Sequence, residues 1–175
     1  VAAGRSRPEP SPVFNAQQLA SSFEHGLDYA TYLATDPARA EPWRRIGEQI
    51  GLTEAQRSLV AGFQREMKVL VISGIWCGDC AQQGPLIQAI ADGSDRIDLR
   101  WVDRDEHERL AAAFTINAGA RVPVAVFMAE DFEPVSAYGD RTLTRYRAMA
   151  AKQLGGACPL PGAPVPDDEL AGSLQ

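Results

Sequence analysis

Residues 68–73, KVLVIS, form a continuous β-branched and aliphatic run, and the stretch that follows, GIWCGDCAQQGP (74–85), changes character at once. A run of this kind suits a central strand buried on both faces, and such a strand needs helices packed on both sides of its sheet. Cys77 and Cys80 stand three apart where the strand should give way to a helix. They can be read as a redox pair, as half of a metal site, or as two structural thiols.

The flanking periodicities place this strand within an α/β order. Upstream, Asn15 caps an expected helix to about Thr35, with Leu19, Phe23, Gly26, Leu27, Ala30 and Leu33 at helical spacing. DPARAEP breaks it, a short helix follows over 43–50, and Gly51 ends that one. TEAQ reads as a capping box from Thr53 to Gln56, opening a helix to about Glu66 with Leu59, Val60 and Phe63 as its buried stripe. Downstream, the pattern predicts a helix over 78–91 through Leu86, Ile87, Ile90 and Ala91. A strand over 96–102, a helix over 106–114 and strands over 122–128 and 134–139 follow. The last helix is expected to be capped by Asp140 and stopped by Gly155. Strands joined through a helix favour parallel pairing, whereas the short AEDFE link favours an antiparallel hairpin. The expected fold is a mixed central sheet flanked by helices, preceded by a helical extension. Its expected division is a flexible arm over 1–14 (with Pro8, Pro10 and Pro12), the extension over 15–66, an α/β domain over 67–155 and a flexible tail over 156–175.

Composition narrows the function classes. With 175 residues the chain is long enough for one domain with a real core, and 45% hydrophobic with 23% charged residues is ordinary for a globular protein. A formal net charge of -6 offers nothing to a nucleic-acid partner. No apolar stretch reaches the roughly 18 residues of a membrane helix. The N-terminus VAAGRSRPEPSPVF has no apolar segment of signal-peptide kind, so the cytoplasm is the default location. The chain starts with Val rather than Met, consistent with a segment removed before residue 1. Three cysteines are too few for a disulfide scaffold, and Cys158, in GGACPLPG, reads as an unremarkable tail thiol.

The cysteine pair carries the chemistry. A helix start collects unpaired N–H groups and the positive end of the helix dipole, so a thiolate at Cys77 is favoured and can attack at neutral pH. Cys80, one turn on, is close enough to close a disulfide. Cys77 would form a mixed disulfide with a substrate, and Cys80 would resolve it. Zinc needs about four ligands, and only the isolated His25, His107 and Cys158 remain to supply them. His107, in DRDEHERL, reads as part of a solvated helix face.

WCGDC resembles the active site of thioredoxins, usually Trp-Cys-Gly-Pro-Cys, with Trp76, Cys77, Gly78 and Cys80 matching. Pro85, five residues after Cys80, stands where thioredoxins place the proline that kinks the active-site helix. RVPVAVF resembles the loop whose cis-proline lies against the cysteines, which implicates Val122 and Pro123, and YG at 138–139 resembles the glycine near the end of the last strand. The resemblance covers roughly residues 66–153. It implies a thioredoxin fold, substrate backbone bound along Val122, and no metal or organic cofactor. The helices over 15–66 resemble those of thioredoxin-like proteins with a helical N-terminal extension.

Two positions depart from the family pattern. Asp79 replaces the proline between the cysteines, and its carboxylate should disfavour the Cys77 thiolate while suiting a helix N-terminus. From this we expect a reducing protein. Val71 stands where thioredoxins carry a buried aspartate that helps deprotonate the second cysteine, which leaves Asp79 and Asp103 as candidate proton acceptors. The expected function is thiol–disulfide oxidoreduction on a disulfide-containing protein or small-thiol substrate, with electrons from a partner reductase or small thiol and no nucleic-acid or membrane partner. The alternatives are a thioredoxin-fold binding module with vestigial cysteines and a glutaredoxin-like protein using glutathione.

Overall fold

The computed structural model describes residues 14–154, so residues 1–13 of the expected arm and the whole expected tail, with Cys158, lie outside the described residues, while Phe14 packs against the core. The chain divides after Asp140 into two compact units.

In the first unit, four strands form one sheet in the order β2-β1-β3-β4. β1 (Met67–Ser73) pairs in parallel with β2 (Ile97–Asp103), through the helix α5 (Gly78–Ala91). On its other side β1 pairs antiparallel with β3 (Val124–Met128), which turns back into β4 (Pro134–Gly139). Val69 to Ser73 are buried without a break, as the unbroken apolar run predicts for a strand covered on both faces. The helix α6 (Glu108–Ala113) links β2 to the second half of the sheet.

Four further helices precede the sheet: α1 (Ala16–Glu24), α2 (Tyr29–Ala34), α3 (Glu41–Gly47) and α4 (Glu54–Ala61). The single helix expected to about Thr35 is therefore two. The break over 25–28 has a physical reason. Leu27 pairs with edge strand β2, its N–H donating to the Trp101 carbonyl at 2.8 Å and its carbonyl accepting from Trp101 N–H at 2.8 Å. Gly26 lets the backbone come that close, since a Cβ there would lie 2.6 Å from the Arg100 Cβ. Asp28 then restarts the helix, its carboxylate accepting from the Thr31 N–H at 2.9 Å.

This crossing wraps the extension around the sheet edge. On one side, Phe23 of α1 meets Phe132 of the β3–β4 turn edge-on at 5.5 Å, with Lys68 and Arg100 over its ring. On the other, Tyr29 and Tyr32 of α2 pack with Trp43 of α3 and Trp101 of β2 at ring separations of 5.4–6.3 Å. Each such pair contributes about 0.5–1.5 kcal/mol beyond its buried area. The pairing with Leu27 also covers part of an edge that would otherwise be open to another chain.

Two buried stripes differ from expectation. In α4 the capping box from Thr53 to Gln56 is present, but Val60 alone is buried, and Leu59 is exposed. In α5 the buried residues are Cys80, Ala81, Gln83, Gly84, Pro85 and Ala91, most of them small, while Leu86 and Ile90 are exposed. Small residues win the inward face because Trp43 occupies the space. A Cβ on Gly84 would lie 2.0 Å from its ring.

The second unit contains α7 (Leu143–Leu154). Its cap is Thr142, not Asp140: the Thr142 hydroxyl accepts from the Arg145 N–H at 3.2 Å. Asp140 belongs to the first unit, where it is buried and paired with Arg121 at 3.4 Å. Among the described residues no helix is long and apolar enough to cross a membrane.

Candidate active site at the end of the central strand

β1 ends at Ser73, and Gly74 to Trp76 carry the chain to Cys77, the N-cap of α5, with extended backbone at φ -86° and ψ 123°. The first helical bond runs from the Ala81 N–H to the Cys77 carbonyl at 2.9 Å. An N-cap side chain faces the free N–H groups of the second and third helical residues, here Asp79 and Cys80. The Cys77 sulfur closes no capping hydrogen bond of its own, but it lies close enough to these N–H groups to feel them.

The Cys80 thiol stabilises the Cys77 thiolate most, burial opposes it, and the backbone N–H groups of Cys80 and Asp79 add to the stabilisation. Together they bring Cys77 down to about 6. The Asp79 carboxylate does oppose the thiolate, as its sequence position suggests, but it is outweighed. Cys80 is fully buried, and burial pushes its thiol well above the ordinary thiol range, with Cys77 acting in the same direction. The pair is polarised into an accessible, acidic sulfur and a hidden, basic one. Both cysteines are free thiols.

The second half of the fold meets the cysteines here. The Val122–Pro123 peptide is cis, both residues are buried, and the Cys77 thiol points at the Val122 carbonyl oxygen at 3.8 Å. Gly139 backs this loop, since a Cβ there would lie 2.5 Å from the Pro123 carbonyl oxygen. Gln83 ties α5 to the same region. Its amide donates to the Asp140 carbonyl, and its oxygen accepts from the Tyr138 hydroxyl at 3.4 Å.

Trp76 is 41% exposed beside Cys77, with its ring folded back over Gly74 and the Arg104 guanidinium 4.6 Å from its centre. At Gly78 a Cβ would meet nothing within 4 Å, so this position leaves the approach to Cys77 open. Pro85 is buried inside α5, and its missing N–H leaves the Ala81 carbonyl without its usual helical donor. Asp79 lies in the first turn of α5, and Asp103 ends β2 alongside Ser73. Val71 is buried among apolar neighbours. Among the described residues no three His, Cys, Asp or Glu side chains come together as a metal site.

Two residues that the sequence did not single out as functional also reach the site. Ser73 points from β1 toward Cys80, and Tyr32 of α2 reaches Ser73 from the extension. Ser73 was visible only as a polar residue ending an apolar run. Tyr32 carried no signal, because helical spacing shows which residues face inward but not which distant residue they meet.

A thioredoxin family model matches residues 26–152. No curated protein matches the chain. Among solved structures, a protein of unknown function from Pseudomonas aeruginosa is similar with a TM-score of 0.64 at 18% identity, over 82% of this chain and 89% of that one. An HIV epitope scaffold is similar with a TM-score of 0.62 at 19% identity, over 78% of this chain and 88% of that one. These similarities establish a shared fold. The family model begins at residue 26, some forty residues upstream of the region where the motifs resemble thioredoxins, and so takes in α2 to α4.

Proposed function

The chain belongs to the thioredoxin family, and on that premise we propose that it is a thiol–disulfide oxidoreductase that reduces disulfides through Cys77 and Cys80. The observation that carries this reading is the polarised pair: an acidic thiol at a helix start, in front of the Val122–Pro123 loop, with a buried second thiol one turn behind. Cys77 attacks one sulfur of the substrate disulfide, forming a Cys77–substrate disulfide and releasing the other substrate sulfur as a thiol. Cys80 then attacks Cys77, forming the internal disulfide and releasing the second substrate thiol. The substrate gains two electrons and two protons, and the cysteine pair loses them.

Trp76, Gly78 and Asp79 shape the approach, Pro85 sits within the helix that carries the pair, and Val122 offers its main chain to extended substrate backbone. The substrate is a disulfide-bearing protein or small disulfide, and electrons return from a reductase or a small thiol. No metal or organic cofactor takes part. A thiol near 6 stands closer to thioredoxin, near 7, than to the strongly oxidising enzymes near 3.5, which supports the reducing direction.

The test is dithiothreitol-driven reduction of a disulfide-bonded protein. The wild-type chain should accelerate it, Cys77→Ser should abolish the acceleration, and Cys80→Ser should accumulate a mixed disulfide seen by mass spectrometry. Equal rates with wild type and Cys77→Ser would overturn the reading and favour a binding module.

A further inference from the structure

The second step places a demand on the interior. Cys80 must become a thiolate at its moment of attack, and it is fully buried, where charge is costly. Two hydroxyls lie in the same interior. Tyr32 Oη and Ser73 Oγ are both buried, and neither has a hydrogen-bond partner among the described residues. An orphaned buried hydroxyl is uncommon and calls for an explanation, and here there are two together. Tyr32 stacks on Trp101 at 5.5 Å, Trp101 pairs with Val71, and Ser73 is the next residue on that face of β1. From there its hydroxyl favours the charged form of both Cys80 and Tyr32. The Gly74 N–H acts on Cys80 in the same sense, whereas Cys77 opposes its ionisation. Burial keeps the Tyr32 phenol protonated, and any negative charge developing on the nearby Cys80, Asp103 and Cys77 acts in the same sense. It is therefore a donor and not a base.

We propose that Ser73 and Tyr32 are positioning residues for the resolving thiol: Tyr32 Oη–H donates to Ser73 Oγ, and Ser73 Oγ–H donates to the Cys80 sulfur as that sulfur gains negative charge. The two hydroxyls are held by the fold beside a charge that exists only during the step, where donors need little reorganisation to stabilise it. A chain of two hydroxyls polarises cooperatively, so the outer member strengthens the inner one. Atoms balance without a further reactant. The Cys80–Cys77 sulfur bond forms, the Cys77–substrate sulfur bond breaks, the electron pair leaves on the substrate sulfur, and the proton lost by Cys80 ends on it. Tyr32 belongs to α2, so the helical extension supplies part of the redox centre. This inference rests on the oxidoreductase reading.

The test uses the full chain carrying Cys158→Ser, with 2,2′-dithiodipyridine as probe, which releases a chromophoric 2-thiopyridone at each step. The first phase reports attack by Cys77 and the second reports resolution by Cys80. Tyr32→Phe and Ser73→Ala each remove a single oxygen and keep the shape, so either variant alone can carry the test. In both, the first phase is expected within about twofold of the parent chain. The second should slow about tenfold or more at neutral pH, below the range seen on deleting one oxyanion donor, with its pH profile displaced upward. A second phase unchanged in rate and pH profile in either variant, while the parent chain resolves normally, overturns this inference alone. A parent chain with no second phase overturns the oxidoreductase reading and this inference with it.

Discussion

At the scale of single residues, the account turns on what a sulfur meets at a helix start. Cys77 faces two backbone N–H groups and the Cys80 thiol, which together outweigh burial and the Asp79 carboxylate. Reactivity should follow the thiolate. Below pH about 6 the alkylation rate of Cys77 should fall tenfold per pH unit, and above about 7 it should level off. Iodoacetamide trapping with peptide mass spectrometry checks this, and a midpoint near the ordinary thiol value of about 8.5 would contradict it. Cys77 and Cys80 were legible as a local pattern, a cysteine pair after a buried strand, whereas Val122 and Pro123 were legible only through the family resemblance of RVPVAVF. The balance of forces on Cys77 was not. Asp79 was visible, whereas the N–H groups that outweigh it are main chain and leave no mark in a residue string.

At the scale of elements, two glycines fix how close the pieces of the site come. Gly139 ends β4 against the Pro123 carbonyl, which cannot swing aside as a side chain could. Gly139→Ala should lower stability by about 1–3 kcal/mol, the usual cost of overpacking, and should slow substrate attack by displacing the Val122–Pro123 loop. Denaturant unfolding and single-turnover rates measure the two effects, and an unchanged midpoint with an unchanged rate would contradict the close approach. Gly84 has the same role between α5 and Trp43. The strand order along the chain and the span of α5 could be read from periodicity, and the parallel and antiparallel pairings from the length of the links. The inward face of α5 could not. Its large apolar residues Leu86 and Ile90 point outward, and small residues face in because a tryptophan from the extension fills the space. The break between α1 and α2 escaped for a similar reason: Leu27 continues the helical spacing, but an edge strand claims its backbone.

At the scale of the first compact unit, the extension is built into the sheet. It crosses the β2 edge at Leu27, lays α1 against one face and sets α2 and α3 against the other, beside α5. The four aromatic rings of Tyr29, Tyr32, Trp43 and Trp101 hold it there, and the Trp43 indole N–H donates to the Ile75 carbonyl at 3.1 Å in the loop that leads to Cys77. The family match from residue 26 takes in α2 to α4, though not α1, with the sheet. Such an arrangement leaves Cys77 half-buried and Cys80 enclosed. That asymmetry is the central claim, and it bears directly on the redox equilibrium of the pair. Thiol-alkylation mass spectrometry in dithiothreitol redox buffers measures it. The account predicts a reversible two-electron transition of Cys77 and Cys80 at about -270 mV, the thioredoxin value. No reversible transition, with both thiols unreactive, would contradict it.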